Sequence, residues 1–113
     1  MTMTFETTTW ADVCSYNDLI PERGVCALVG GEQVAIFRTY EGELYALSNQ
    51  DPFSHAYVLS RGILGTRGGI PTVASPMYKQ VFDLTTGKCL DDPTKSVAVF
   101  TVRLNGDRVE VMT

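Results

Sequence analysis

Apolar and polar residues alternate along this chain in short stretches, interrupted roughly every eight to twelve residues by Gly, Pro, Asn or Asp. Nowhere do apolar positions recur at helical spacing over several turns. Residues 5–10 read as a first strand ending on Trp10, the only tryptophan and an expected core anchor. Residues 12–23, with Ser15, Asn17, Asp18 and Pro21, form a turn-rich connection holding at most one short helical turn near Tyr16 to Leu19. Residues 25–29 are apolar, Gly30-Gly31 signals a hairpin, and residues 33–40 return as a strand. In that strand Ala35 and Phe37 share one face while Val34 and Ile36 share the other. Both faces are apolar, so the strand is expected between two layers. Glu41-Gly42 turns the chain into residues 44–47. Near the end, residues 98–104 place Ala98, Phe100, Val102 and Leu104 on one face, and Asn105-Gly106 turns into residues 109–112. Only residues 56–63 have room for a short helix. The pattern predicts an all-β fold, a small antiparallel sandwich or barrel.

Residues 51–87 break this regularity. Two irregular loops, Asp51 to Phe53 and Ser75 to Tyr78, flank a glycine-rich excursion over residues 61–69. Pro52, Pro71 and Pro76 stiffen the region, while Gly62, Gly65, Gly68 and Gly69 make the excursion adaptable. Paired loops of this kind commonly grip something. At 113 residues the chain is expected to be one domain, 1–113, with 48–88 as the loop region. It is long enough to bury a core without a metal or disulfide. A net charge of −4 with scattered Lys and Arg offers no basic stripe for nucleic acid. Cys14, Cys26 and Cys89 are odd in number and lack Cys-x-x-Cys spacing, so free thiols in a reducing cytoplasm are expected. Neither a leader-like N-terminus nor an apolar run of membrane-spanning length is visible, so a soluble, cytoplasmic protein is expected.

The loop spacing resembles that of Rieske proteins, where a Cys-x-His loop and a Cys-x-x-His loop hold a two-iron, two-sulfur cluster. Here the corresponding positions are Asp51, Phe53, Ser75 and Tyr78. The segments Ser48-Asn-Gln-Asp-Pro-Phe-Ser54, Val58-Leu-Ser-Arg-Gly-Ile63 and Ala74-Ser-Pro-Met-Tyr-Lys-Gln80, with Phe82 and Thr86-Gly-Lys-Cys89, make the resemblance narrower. Together they are similar to the small subunit of the assimilatory NAD(P)H-dependent nitrite reductases, over nearly the whole chain. That resemblance implies a Rieske-like sandwich lacking the cluster ligands and an accessory subunit without redox chemistry of its own. It also implies a large partner subunit carrying FAD, sirohaem and an iron–sulfur cluster, which reduces nitrite to ammonium with NAD(P)H. A free-standing interaction module and a Rieske-type electron carrier are the alternatives.

Side-chain chemistry weighs against the carrier. Phe53 has no lone pair, the Ser75 hydroxyl stays protonated, and Asp51 and Tyr78 are hard oxygen donors where a cluster wants thiolate or imidazole. His55 is a single histidine, so it supplies neither two cluster ligands nor a two-His iron site, and no Gly-x-Ser-x-Gly elbow accompanies it. It reads as a solvated loop residue. The Arg67-Gly68-Gly69 segment lacks the ending of a phosphate loop. If Phe53, Met77 and Tyr78 turn inward, their burial takes the place of metal coordination, with Asp51 and Ser75 bonding to loop backbone. Contact with a partner then remains. The expected face is an apolar tip of Phe53, Tyr57, Leu59, Ile63 and Met77, rimmed by Arg61, Arg67, Lys79 and Gln80. No catalytic residue, cofactor, metal, nucleic acid or membrane is expected, and the isolated chain is expected to be a monomer.

Overall fold

A computed structural model of the chain describes residues 10–112, in ten strands and two short 3₁₀ turns. The strands are β1 (Trp10–Ser15), β2 (Arg23–Val29), β3 (Glu32–Arg38), β4 (Leu44–Ser48), β5 (Ile63–Arg67), β6 (Ile70–Ala74), β7 (Val81–Asp83), β8 (Val99–Phe100), β9 (Val102–Asn105) and β10 (Arg108–Met112). They form three antiparallel sheets, ordered β1-β10-β9, β2-β3-β4-β8 and β5-β6-β7. The fold is all-β, as the alternation predicts.

The four-stranded sheet is the middle layer, and β3 shows why. Val34, Ala35, Ile36 and Phe37 are all fully buried. Val34 and Ile36 point into a core shared with Ala46 of β4 and Val109 and Val111 of β10. Ala35 and Phe37 point into a second core with Leu47, Leu59, Val73, Phe82 and Leu84, which joins the middle sheet to the third one. A strand buried on both faces can carry apolar residues continuously, as this one does. The β2–β3 register, Val29 opposite Glu32, leaves Gly30-Gly31 as the two-residue hairpin loop.

Several expectations change. Residues 5–9 lie outside the described residues, and the first described strand is β1, which Trp10 opens rather than closes. Trp10 is half-buried with the Arg103 guanidinium 3.9 Å above its ring, a cation–π lid rather than a core position. Residues 12–15, expected as turn, extend β1 through a bulge between Asp12 and Cys14, and only Tyr16–Asp18 forms a 3₁₀ turn. Residues 98–104 are not one strand. The chain breaks at Thr101, so β8 pairs with β4 and β9 with β10; Phe100 and Val102 pack on the core while Ala98 and Leu104 are exposed. The register of Asn105 opposite Arg108 moves the two-residue turn to Gly106-Asp107. Finally, the glycine-rich excursion is no loose loop. It is the β5–β6 hairpin, with Gly68 and Gly69 at φ 59° and 82° in a two-residue turn that needs both angles positive.

Candidate functional site

Two six-residue turns meet at the end of the middle and third sheets. The first, residues 51–56, follows β4; the second, 75–80, joins β6 to β7. Each begins X-Pro, Asp51-Pro52 and Ser75-Pro76. In each, the first residue's side chain accepts the amide two residues on: Phe53 N–H donates to Asp51 Oδ1 at 2.7 Å, and Met77 N–H to Ser75 Oγ at 3.3 Å. In each, the fifth residue's amide closes on the first residue's carbonyl, His55 on Asp51 at 2.8 Å and Lys79 on Ser75 at 2.9 Å. In each, the first amide donates to the sixth carbonyl, Asp51 to Ala56 at 2.8 Å and Ser75 to Gln80 at 2.9 Å. His55 and Lys79 have left-handed backbones, φ 66° and 63°. The turns are copies of one device.

They are joined at their first residues. Asp51 and Ser75 are both shut from solvent, and the Ser75 hydroxyl donates to Asp51 Oδ2. Ser54 N–H adds a longer bond to Asp51 Oδ1, 3.4 Å, so the buried carboxylate is met by donors on both oxygens. The expectation that these two residues bond to loop backbone is met, and the direct link between them was not foreseen. Also unforeseen is Asn49, 1% exposed just after β4. Its amide donates to Tyr57 O and Gln33 Oε1, both at 3.1 Å, and its Oδ1 accepts Ser60 N–H at 2.7 Å. It braces both ends of the first turn. The polar run Ser48-Asn49-Gln50 at a strand end was its signal in the sequence.

The third positions diverge. Phe53 is half-buried and tilts onto Phe82, ring centroids 6.2 Å apart, at the edge of the second core. Its counterpart Met77 faces out at 47% exposure, and Tyr78 follows at 59%. The inward turn considered for Met77 and Tyr78 therefore does not occur, because the second core is already filled by Leu59, Val73, Phe82 and Leu84, and Met77 stands exposed as expected of the apolar tip. Leu59, expected on the apolar tip, is fully buried on the 3₁₀ turn Leu59–Arg61. Tyr57 and Ile63 are exposed, as expected.

Of the expected rim, Arg61 and Lys79 are exposed and Gln80 is half-buried with a solvent-shielded Oε1 that has no hydrogen-bond partner among the described residues. Arg67 stands on the β5–β6 hairpin and donates to Asp91 Oδ1 at 2.9 Å, while Asp91 Oδ2 accepts Val81 N–H at 2.9 Å. It props the second turn from outside. The Arg67 hydrogen bond, then that of Val81, lowers the Asp91 carboxyl below its ordinary value of 3.8. His55 is exposed, as expected. Cys14, Cys26 and Cys89 are free, Cys89 buried in the second core, Cys14 half-buried and Cys26 exposed. Among the described residues no helix is long and apolar enough to cross a membrane.

A family profile described as a Rieske-like [2Fe-2S] domain matches residues 9–112. The small subunit of the Escherichia coli K12 nitrite reductase (NADH) is 46% identical over 103 residues, which cover 90% of this chain and 95% of that one. The chain belongs to this nitrite reductase small-subunit family of Rieske-like domains. A crystal structure from Mycobacterium tuberculosis, assigned as an NADH-dependent nitrite reductase small subunit, superposes with TM-score 0.92 at 47% identity, covering 96% of this chain and 97% of that one. A Klebsiella oxytoca protein named as the large subunit of nitrite reductase [NAD(P)H] is 38% identical over 102 residues, 90% of this chain but 11% of its own length.

The wider domain family implies a two-iron, two-sulfur cluster, and the donor set here does not fit one. Of the four positions that the loop spacing sets against cluster ligands, Asp51 and Ser75 are spent on each other, Phe53 packs on Phe82 and has no donor atom, and Tyr78 points to solvent. None offers the thiolate or imidazole that such clusters use. Nor do the described residues bring three His, Cys, Asp or Glu side chains together in metal-binding range.

Proposed function

We propose that this chain is the small accessory subunit of an NAD(P)H-dependent nitrite reductase, working in the cytoplasm in nitrate assimilation. It carries no cluster and is a monomer until it binds the large subunit, which bears FAD, sirohaem and an iron–sulfur cluster and reduces nitrite to ammonium. The observation that carries this reading is the near end-to-end match, at 46% identity, with the Escherichia coli small subunit. The Klebsiella large subunit supports the partner, because a segment similar to 90% of this chain lies inside its polypeptide. A domain covalently part of the enzyme in one organism is a natural bound subunit in another. The mismatched donor set supports a subunit without redox chemistry, and three unbridged cysteines are compatible with a reducing compartment.

Candidate contact residues are Arg61, Met77, Lys79 and Gln80, with Arg67 acting through Asp91. Arg61 lies at the base of the second turn, since Gly62 sits against the Ala74 carbonyl and Ile63 pairs with Ala74. Exposed Met and Tyr beside positive charge match the composition of protein interfaces.

The test is co-purification with the large subunit from cells grown on nitrite, followed by nitrite-dependent NAD(P)H oxidation with and without this chain. Retention of a flavin and sirohaem protein, higher activity with both chains, and no iron or visible absorbance in the isolated small chain are expected. Stoichiometric iron in the isolated chain would overturn the cluster-free role; failure to retain the large subunit would overturn the subunit reading.

A further inference from the structure

The paired turns contain an asymmetry. Both share the same backbone bonds, yet the first buries its third residue, Phe53, and the second displays Met77, Tyr78 and Lys79 in a row beside the exposed Pro76. One turn supports and the other presents. The presented row is held in a costly shape: Lys79 is a non-glycine residue at φ 63°, a conformation that persists only where its surroundings impose it. Its amide bonds to the Ser75 carbonyl, and Ser75 is fixed in turn by Asp51. The Asp51 end is fixed independently of the tip, through Phe53 on the core and through Asn49, which braces the ends of the first turn.

We infer that the Asp51–Ser75 hydrogen bond is a positioning clip that preorganises the Met77-Tyr78-Lys79 row as the docking face for the large subunit. This rests on the subunit reading above. The occupant is the large subunit because a segment similar to most of this chain lies inside the polypeptide of the Klebsiella large subunit, and charge makes this end distinct: the chain is acidic overall, at net −4, while Lys79 and Arg61 stand exposed here. The complementary surface is an apolar hollow that takes Met77 and Tyr78, rimmed by carboxylates. Fixing a loop in its bound shape removes ordering costs from association. With the clip cut, the row samples other shapes and the competent fraction falls, raising the apparent Kd by the inverse of that fraction.

The test measures the affinity of purified large subunit for the full-length small chain, with amide hydrogen exchange at Lys79 and melting temperature on the same samples. Ser75→Ala removes the donor; Ser75→Cys leaves only a weak S–H donor in a side chain of similar shape, and it serves where Ser75→Ala fails to fold. Met77→Ala with Tyr78→Ala reads the face itself. Val109→Ala, in the opposite core, controls for lost stability alone. The expected result is a rise in Kd of about tenfold for the clip variants with faster Lys79 exchange, the scale of losing about one hydrogen bond's net contribution. The face variant weakens binding without faster exchange, and Val109→Ala lowers the melting temperature with Kd unchanged. Clip variants that exchange faster yet bind like wild type overturn the inference and leave the docking face standing. A face variant that binds normally overturns it too, while wild-type binding preserves the subunit reading. If wild type does not bind, both fall.

Discussion

Asp51 is the residue on which the loop end depends. A carboxylate wholly shut from water is tolerable only when donors meet its oxygens, and here the Ser75 hydroxyl and the Phe53 and Ser54 amides do so. A metal would bridge two loops through soft ligands on both; this chain bridges them through one hard oxygen pair and one ring. The ring is Phe53, packed on Phe82 with Lys95 Nζ 5.9 Å from its centroid. Because it is only half-buried, Phe53→Ala leaves an open notch rather than a closed cavity. We expect a stability loss of about 2 kcal/mol, below the ~3–5 kcal/mol of a fully enclosed phenylalanine. Urea unfolding checks this, and a loss below about 0.5 kcal/mol, within the range of ordinary surface substitutions, would mean that the ring adds nothing to holding the loop.

Among the elements, what could be read from sequence was local, and what escaped was set by partners far along the chain. The β2–β3 hairpin and the two buried faces of β3 follow from Gly30-Gly31 and four consecutive apolar residues. The split at Thr101 does not, since alternation runs through it unbroken and only the choice between β4 and β10 as neighbour ends one strand and starts the next. Likewise the glycines of residues 61–69 looked like slack, although two of them turn a regular hairpin. At the site, the X-Pro pairs were visible, but the Asp51–Ser75 link spans 24 residues and depends on both turns being copies. Gly87 is another long-range case. It has φ 78°, and an added Cβ would stand 2.1 Å from the Val97 carbonyl oxygen, whereas Gly68 at φ 59° has open space around it. Gly87→Ala should therefore cost more than about 3 kcal/mol, from strain plus displaced backbone, and Gly68→Ala about 1 kcal/mol from its left-handed angle alone. Equal losses in urea unfolding would mean that the segment carrying Val97 yields freely.

For the whole molecule, charge sets how stability and association respond to solution conditions. Burial opposes ionisation of Asp83, but hydrogen bonds from the Thr85 hydroxyl and amide, then from Thr86, outweigh it and hold the carboxyl below its ordinary 3.8. Asp91 is lowered by Arg67 and Val81, and Asp92 by the Thr94 hydroxyl and amide. With folded values under unfolded ones, the unfolded chain binds more protons between them. The stabilisation is thus complete above about pH 4–5 and is lost as pH falls through the lowered folded values. Urea midpoints should be flat on the neutral side and drop on the acid side, with a shallower drop in Asp83→Asn; an identical slope in that variant would remove Asp83 from the account. Association should respond to salt instead. Arg61 and Lys79 are exposed at the presenting end of an acidic chain, so they act at the rim by steering encounter, and screening grows as the Debye length shrinks from about 10 Å at 0.1 M salt to about 3 Å at 1 M. Wild-type affinity for the large subunit should fall with added salt, chiefly through the association rate, and the Arg61→Glu, Lys79→Glu double variant should bind more weakly with a flatter or inverted salt dependence. Circular dichroism on the same samples reports whether the fold survives. A folded double variant with unchanged affinity and salt slope would move the partner off this end of the molecule, to a surface such as the sheet of β1, β10 and β9, where Arg103 and Arg108 are already paired with Glu110 and Asp12.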